Sequence, residues 1–531
     1  MSSVTTNKMT NWRWIMCAML FFATTVNYMD RQVLSLTFKE FIQPEFHWTD
    51  SDYGTITGVF SICYAVFCLF AGKFVDWMGT KKGYLWAIVV WSLGAVMHAG
   101  CGWATTICIP ELESVEALRA VEAGSQIASS VAMISVYLFL ACRMILGLGE
   151  AGNFPAAIKV TAEYFPKKDR AFATSIFNAG ASVGALAAPA TIPLLAKSLG
   201  WEMAFIIIGL LGFVWAGIWI FVYDKPNQSS HVNEAELIYI NQDDAEAPVQ
   251  EDAEEKQMSF AKAFTYKQTW SFAFGKFMTD GVWWFFLFWA PAYFQDQFGH
   301  KASDPMGIAL IFTLYAIVTF LSLFGGYLPK LFVEKMGMNP YAGRMRAMLI
   351  FAFFPVLALF AQPLGDHFHS AWWPANIIGL VGAGHQAWSA NIFSTTGDMF
   401  PKSAVATITG IGAMAGGIGS FLINKGSGML FSYSTGSFVH NGKEYGDITH
   451  DVVNQALHNG EEVFSKETPI AELIDAIGAA GGQVVEMPLQ FMGFEGKPAG
   501  YMIVFCICAV AYLIGWSVMK LLVPKYKPVV L

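Results

Sequence analysis

Three pairs of oppositely charged residues lie inside long apolar stretches of this 531-residue sequence. The pairs are Asp30 with Arg31, Arg143 with Glu150, and Lys276 with Asp280. A charged side chain inside a lipid bilayer costs about 3 kcal/mol or more, so such residues usually face a cavity or a partner and carry function. The three pairs therefore predict a path for a charged solute or a proton.

Two of these pairs have a functional and a structural interpretation. An arginine such as Arg31 offers a planar fork that donates two parallel hydrogen bonds to a carboxylate, and it stays charged at any accessible pH. The alternative for Asp30 and Arg31 is an internal ion pair that only locks helices together. Lys276 and Asp280 are four residues apart on one helix face, so they can neutralise each other, or Lys276 can bind a ligand.

The third pair has the geometry of a switch. Arg143 and Glu150 are two helical turns apart, about 20° around the axis and about 10.5 Å along it, so they share a face. We expect Glu150 to be protonated and free in one state, and deprotonated and paired with Arg143 or another cation in the other. The alternative is a static salt bridge.

The composition indicates what must position these pairs. Hydrophobic residues make up 55% of the chain and charged residues only 14%, against roughly 25% charged in soluble domains. The net charge of −8 gives no reason to expect nucleic-acid binding. We predict an all-α membrane protein whose twelve spans form two six-helix halves, each span needing about 20 apolar residues. The spans are predicted at 12–37, 53–75, 83–103, 132–164, 169–196, 202–222, 268–295, 305–333, 343–364, 371–399, 401–430 and 500–522.

The predicted domains follow from these spans. They are an N-terminal half at 1–222 with an insertion at 104–131, an acidic, flexible, solvated linker at 223–267, and a C-terminal half at 268–531 with an insertion at 431–499. The second insertion, with helix-like stretches at 451–457 and 470–480, is interpreted as an ornament or lid. Lys and Arg are concentrated in the tails and in the loops on the side of both termini, while the short loops opposite hold Lys39, Arg119, Lys197 and Lys301. Basic residues favour cytoplasmic loops, so both termini are predicted in the cytoplasm and both insertions outside.

A glycine-rich loop links the second and third predicted spans. Its segment 72–82, GKFVDWMGTKK, resembles the loop signature of the major facilitator superfamily and departs from it at Trp77, where arginine is usual. The segment 334–337, EKMG, repeats part of the pattern in the second half. We predict a tight turn at Gly72 and Gly79 and a gating role for Asp76 and Lys81. The alternative for Lys81 is a purely topological signal.

Further stretches resemble the anion:cation symporter family. They are NYMDR at 27–31, RMILGLGEAGNFP at 143–155 and FNAG at 177–180. Two more, KFMTDGVWWF at 276–285 and GHQAWSAN at 384–391, resemble bacterial hexuronate transporters. Some members that bind other sugar acids carry Gln where this chain has Ala181, which puts a galactonate-type pocket in doubt.

The resemblance implies a site for a sugar acid. It assigns proton coupling to Asp30 and to Glu150 with Arg143, and the grip on the substrate carboxylate to Arg31. A hexuronate also needs hydrogen-bond donors and aromatic faces, and the predicted binding residues are Arg31, Tyr28, Tyr64, Asn178, Lys276, Trp284, Gln386, Ser389 and Asn391. His385 is interpreted as a packing residue.

The function predicted is proton-driven import of a hexuronate across the inner membrane of a bacterium. The partners are a small organic anion, protons and the lipid bilayer; we expect a monomer with no metal or cofactor. Another aldonate, aldarate or small carboxylate remains an alternative substrate, and a transporter-like sensor remains an alternative function. Cys101 and Cys108 form a disulfide or stay two free thiols.

Overall fold

The chain folds into a bundle of long helices. The computed structural model describes residues 8–242, 258–322, 324–400, 402–458, 460–465 and 468–529, and a few of these, Asp76 among them, are described by their backbone alone. We call the helices up to α10 the N-terminal half. They are α1 (Trp12–Thr37), a π-turn (Phe38–Ile42), α2 (Gln43–Phe46), α3 (Asp50–Met78), α4 (Thr80–His98), α5 (Cys101–Cys108), α6 (Val115–Arg119), α7 (Gln126–Glu150), α8 (Asn153–Tyr164), α9 (Lys167–Leu199) and α10 (Trp201–Val222).

Two linker helices precede the C-terminal half, which we define as the elements from α13 onward. The linker holds a 3₁₀ turn (Pro226–Gln228), α11 (Glu234–Ile240) and α12 (Phe260–Ala263). The C-terminal half has α13 (Lys267–Phe298), α14 (Pro305–Ser322), α15 (Phe324–Met336), α16 (Pro340–Ala352), a 3₁₀ segment (Phe354–Phe360), α17 (Ala361–His367), α18 (Trp372–Met399), α19 (Lys402–Ser434) and α22 (Lys497–Leu522). Its insertion has β1 (Ser437–His440), β2 (Lys443–Tyr445), α20 (His450–His458), α21 (Ile470–Ala479), β3 (Gln483–Glu486), β4 (Gln490–Phe491) and β5 (Phe494–Glu495).

Each of the twelve predicted spans coincides with a helix or a broken helix. Within the described residues, eight helical stretches are long and apolar enough to cross a membrane, and the bent pair α4 and α5 makes a ninth. The remaining predicted spans are α1, α13 and α18, with 26, 32 and 28 residues. They carry Arg31, Lys276 and Gln386, so the candidate site residues themselves reduce the apolar character of these helices. The all-α membrane fold is confirmed, and twelve spans are consistent with it.

The two halves meet mainly where α3 packs against α19. Small residues bring the two backbones together: a Cβ on Gly54 would lie 2.6 Å from the carbonyl oxygen of Asn424, and one on Gly428 would lie 2.4 Å from that of Asp50. Within a membrane, such close approach lets dispersion contacts hold helices together. The interface between the halves therefore depends on glycine at these positions.

The insertion of the C-terminal half builds its own small core. The predicted helical stretches are confirmed as α20 and α21. Antiparallel strands add a sheet ordered β2-β1-β3 and a hairpin of β4 and β5. The buried core residues are Phe438, Ile448, Val453, Leu473 and Ile477. The interpretation as an ornament or lid did not include this core, because strands of two to four residues are too short to show an alternating pattern.

The first part of the linker is docked, so the prediction of a solvated linker was wrong there. Glu236 of α11 is fully buried and accepts hydrogen bonds from the backbone N–H groups of Trp12 and Arg13, the first residues of α1. It also pairs with the Arg13 guanidinium at 3.2 Å. A carboxylate is stabilised at a helix N-terminus by its free N–H groups. The acidic residues behind the prediction lie outside the described residues: Asp243, Asp244, Glu246, Glu251, Asp252, Glu254 and Glu255.

Of the two alternatives for Cys101 and Cys108, the disulfide is excluded by geometry and the two free thiols are confirmed. Both residues lie in α5, seven positions and therefore about 10.5 Å apart, whereas bridged cysteines have Cα atoms at most about 7 Å apart. All eight cysteines are free. Cys101 instead contacts Cys142 of α7, with 3.7 Å between the sulfur atoms.

Candidate functional site

An ion pair between the first and fourth spans forms the core of the candidate site. Nη2 of Arg31 donates to Oε2 of Glu150 at 2.7 Å, and Nε donates to the same oxygen at 3.1 Å. The two side chains are 7% and 0% exposed. The other carboxylate oxygen of Glu150 has no hydrogen-bond partner among the described residues. One oxygen therefore takes both bonds, and the pair lacks the parallel two-oxygen geometry that gives arginine its strongest grip on a carboxylate.

Three predicted aromatic residues surround the Arg31 guanidinium. Its carbon lies 5.3 Å from the ring centroid of Tyr28, 4.6 Å from that of Tyr64 and 5.1 Å from that of Trp284. At these distances each ring face attracts the cation. Because Tyr28 and Tyr64 belong to the N-terminal half and Trp284 to the C-terminal half, the two halves share one binding surface. We call Arg31 with these three rings the aromatic cage.

Close helix packing sets the position of the ion pair. A Cβ on Gly184 of α9 would lie 2.4 Å from the Thr25 carbonyl oxygen and 3.0 Å from Cβ of Tyr28. Glycine at this position therefore lets α9 lie directly against the part of α1 that carries the cage. A Cβ on Gly149 would lie 2.3 Å from the backbone nitrogen of Trp91, so α7 and α4 are equally close. Glu150 ends α7, and two residues separate it from the start of α8, so its carboxylate lies at a break in the span.

Asp30 and Arg143 lie close to this ion pair. Both carboxylate oxygens of Asp30 and both terminal nitrogens of Arg143 are buried without a hydrogen-bond partner in the described part of the chain. Asp30 is within electrostatic reach of Glu150 and Arg143, and Phe60 offers its ring to the Arg143 guanidinium at 5.2 Å. Of the two pairings predicted for a deprotonated Glu150, with Arg143 or with another cation, this structure holds the second, because the carboxylate bonds Arg31.

Lys276 and Asp280 form the self-contained pair that their spacing allows. The distance between Nζ of Lys276 and Oδ2 of Asp280 is 2.8 Å, and the side chains are 7% and 14% exposed. Lys276 also lies over the ring of Phe393 at 4.4 Å. Its ammonium is therefore already neutralised in this arrangement.

The predicted donors on α18 do not all serve the cage. The amide nitrogen of Asn391 donates to the carbonyl oxygens of Gly325 and Ala387 at 2.9 and 2.8 Å, so it holds helices together. Gln386 and Ser389 are half-buried, and Asn178 on α9 is exposed. His385 bonds Tyr512 at 2.6 Å and stacks on Trp283, as expected of a packing residue.

The predicted gating loop is only partly a turn. Gly79 has φ 77° and separates α3 from α4, as predicted, but Gly72 lies inside α3, so a turn there was wrong. The backbone of Asp76 belongs to α3, while its side chain lies outside the description. Lys81 pairs with Asp224 at 2.8 Å, with both side chains partly exposed, and so attaches the loop to the start of the linker.

A second cluster of four charges was not predicted. We call the end of the bundle with the two insertions the insertion face, and the opposite end, with both termini and the linker, the terminal face. At the insertion face Lys39 lies 3.2 Å from Asp50 and 3.1 Å from Asp296, while Lys497 lies 2.6 Å and 3.1 Å from the same two acids. We call these four residues the outer ion cluster. Each lies at a helix end, where sequence patterns give no sign of which other end is near.

Other bonds between the halves also lie at the insertion face. Tyr53 donates to the carbonyl oxygen of Phe288 at 2.7 Å, and Lys425 donates to the Thr55 hydroxyl at 2.6 Å. Ser303 donates to Glu40 at 2.7 Å. Together with the outer ion cluster, these bonds close the insertion face in this structure.

The fold and this site define a membrane transporter, and the chain belongs to the Major Facilitator Superfamily, whose family model matches residues 20–423. The full-length fold is similar to that of a bacterial homologue of the human lysosomal transporter Spinster in an inward-facing, unoccupied conformation. The TM-score is 0.64 at 16% identity, covering 98% of this chain and 99% of that one. A D-xylose–proton symporter is also similar, with a TM-score of 0.58 at 14% identity and 98% coverage of both chains. The prediction of a transporter, as opposed to a membrane enzyme, is confirmed.

Sequence relatives agree with the resemblance to hexuronate transporters. The hexuronate transporter of Escherichia coli K12 is 28% identical over 415 residues, which are 77% of this chain and 85% of that protein. The galacturonate transporter of Dickeya chrysanthemi is 26% identical over 66% of this chain and 92% of that protein. The probable galactarate/D-glucarate transporter of Bacillus subtilis is 25% identical over 81% and 88%.

Proposed function

We propose that this protein is a proton-coupled symporter that imports a hexuronate by alternating access. The single observation that carries the proposal is the aromatic cage, in which a buried arginine from one half meets a ring from the other. A hexuronate has one carboxylate for the Arg31 fork and a face of C–H groups for the rings. The hexuronate and galacturonate transporters among the relatives support this substrate class.

The coupling rests on competition for Arg31. Glu150 holds the Arg31 guanidinium through one carboxylate oxygen, which is the group that a substrate carboxylate would bind. Protonation of Glu150 removes its charge and releases Arg31 to the substrate. When the substrate leaves, Glu150 loses its proton and binds Arg31 again. Proton and substrate then move together, because an unprotonated Glu150 and a substrate carboxylate exclude each other from the same cation.

Orientation and surroundings complete the proposal. Both termini face the cytoplasm of a bacterium, the transporter lies in the inner membrane as a monomer, and the insertion face is the outside. The closure of that face by bonds between the halves is the arrangement expected when the site is cut off from the outside. Alternating access by rocking of the two halves then needs those bonds to open.

The test compares two ion pairs with the same burial. The Arg13–Glu236 pair has side chains 7% and 0% exposed, as the Arg31–Glu150 pair does, but lies at the terminal face. In proteoliposomes with an imposed pH gradient, we expect Glu150→Gln to lose accumulation of labelled galacturonate while keeping exchange. Glu236→Gln should keep accumulation. If Glu150→Gln accumulates substrate as the wild type does, Glu150 is not the coupling residue.

The second candidate substrate is an aldarate, favoured by the galactarate/D-glucarate relative. A thermal-shift screen of the purified protein against hexuronates, aldonates and aldarates separates these classes, because a bound ligand raises the melting temperature by mass action. Uptake by proteoliposomes separates a transporter from a ligand sensor. A protein that binds a sugar acid and moves none would be a sensor.

A further inference from the structure

One face of α13 connects the aromatic cage to the Lys276–Asp280 pair. Lys276, Asp280 and Trp284 are spaced at i, i+4 and i+8, so they follow each other along one side of the helix at intervals of about 6 Å. The Trp284 ring contacts the Arg31 guanidinium at 5.1 Å. Asp280 therefore lies one turn from the cage, and Lys276 lies one turn further toward the terminal face.

Asp280 occupies a place made for it between two helices. Its Oδ2 accepts from Lys276 at 2.8 Å, and a Cβ on Gly416 of α19 would lie 2.2 Å from this same oxygen. Any larger residue at position 416 would displace the carboxylate. The glycine therefore allows Asp280 to remain on the ammonium of Lys276.

With all six side chains ionised, the formal charges of the site sum to zero. Two acids and two arginines lie around the cage, and Lys276 with Asp280 adds one charge of each sign. The six residues are Asp30, Glu150, Arg31, Arg143, Lys276 and Asp280. One proton and one singly charged substrate keep this sum at zero. A doubly charged substrate with one proton leaves an uncompensated negative charge in a buried site, which is strongly unfavourable.

Building on the proposed function, we propose that Asp280 sets the charge of the accepted substrate. By neutralising Lys276 it leaves Arg31 to bind a carboxylate, since the charge of Arg143 is balanced by Asp30, so the site takes sugar monoacids and rejects diacids. Without the Asp280 charge, the Lys276 ammonium becomes free to bind a second carboxylate at the far end of a sugar diacid. Asp280 is then a specificity residue that acts through Lys276.

The test measures selectivity between galacturonate, a monoacid, and galactarate, the matching diacid. In proteoliposomes, uptake of labelled galacturonate is inhibited by each unlabelled acid, and the ratio of the two inhibitory concentrations is compared between variants. We expect Asp280→Asn to lower the inhibitory concentration of galactarate, relative to that of galacturonate, by about tenfold or more. This is the scale on which one unpaired charge changes specificity.

Two further variants isolate the charge of Lys276. The double variant Lys276→Gln/Asp280→Asn removes both charges and should exclude galactarate as the wild type does. Glu334→Gln breaks the exposed Lys330–Glu334 pair, which has the same i,i+4 spacing, and should leave the ratio unchanged. Should Asp280→Asn fail to fold, Asp280→Ser provides the same loss of charge.

The outcomes distinguish this inference from the proposed function. If the wild type takes up galacturonate and Asp280→Asn has the same ratio of inhibitory concentrations as the wild type, the inference is overturned and the proposed function stands. Equal gain of galactarate binding in the double variant also overturns it, since Lys276 would then be irrelevant. A wild type that prefers galactarate overturns both, as does one that takes up neither acid.

Discussion

The outer ion cluster should control which face of the transporter is open. Lys497 is the first residue of α22 and contacts Asp50 of the N-terminal half at 2.6 Å and Asp296 of its own half at 3.1 Å. The two acids are 5% and 8% exposed, while Lys497 is 19% exposed. Because Lys497 bonds across the two halves, its contact with Asp50 exists only while the insertion face is closed. Replacing Lys497 by glutamine should therefore favour opening of this face.

The size of the effect follows from burial and from the remaining partner. Removing one partner of a buried ion pair costs about 3–5 kcal/mol. Here both acids keep Lys39 at 3.2 and 3.1 Å, and the partial exposure of Lys497 brings solvent screening, so we expect about 2 kcal/mol. Since about 1.4 kcal/mol is a factor of ten, Lys497→Gln should shift the equilibrium toward an open insertion face by about thirtyfold.

The assay is labelling of a buried position behind the cluster. Thr57 lies in α3, seven residues past Asp50, and is 1% exposed. In a background without reactive native cysteines, Thr57→Cys should react with a membrane-impermeant maleimide added from the insertion face, and Lys497→Gln should raise the rate. Arg119→Gln is the control, because Arg119 bonds Glu45 and Glu202 within the N-terminal half at the same face. Equal rates in Lys497→Gln and wild type, or an equal rise in the control, would refute the reasoning.

Two further predictions concern single residues. Arg31→Lys keeps the charge but loses the planar fork, so it should weaken galacturonate binding by about tenfold or more. Arg31→Ala loses both and should abolish binding. Unchanged affinity of the alanine variant in titrations would contradict the cage as the binding site. Burial raises the pKa of Glu45, which lies in α2 outside the spans, so the folded state holds that proton more tightly. Its stabilising contribution is therefore present at low pH and lost as pH rises past the ordinary glutamate pKa of about 4.3. As the pH rises from about 4.3 through the raised pKa of folded Glu45, the melting temperature of the wild type should fall relative to that of Glu45→Gln. A constant difference between the two melting temperatures across this pH range would contradict the prediction.

The predictable part of the fold comes from local patterns. Apolar runs long enough to cross a bilayer are visible one at a time, so every predicted span meets a helix. Charged residues inside those runs were identified as functional because the bilayer makes them costly. Arg31, Tyr28, Tyr64 and Trp284 were each selected in this way or by resemblance, and the structure brings all four together.

Partner choice was not predictable by the same means. The spacing on one helix named Arg143 as a partner of Glu150 and left any other cation unidentified, whereas the carboxylate bonds Arg31, 119 residues away. Lys39 was predicted only as a charge in an outer loop and Lys497 was not singled out, yet the fold places both beside the same two acids. The short linker helix α11 looked solvated because its partner, the start of α1, is more than 220 residues away.

The sequence by itself determined the class of fold, the places of the long apolar helices, and the charged residues that a bilayer makes costly. These follow from hydropathy and helix geometry, which act over a few turns of one segment. Only the tertiary structure decided which buried cation each carboxylate holds and which face of the bundle is closed. The sequence alone allows more than one cation as the partner of a buried carboxylate. Which cation is bound depends on distances of a few ångströms between helices. Those distances are set by close contacts such as those of Gly184 with α1 and Gly54 with α19.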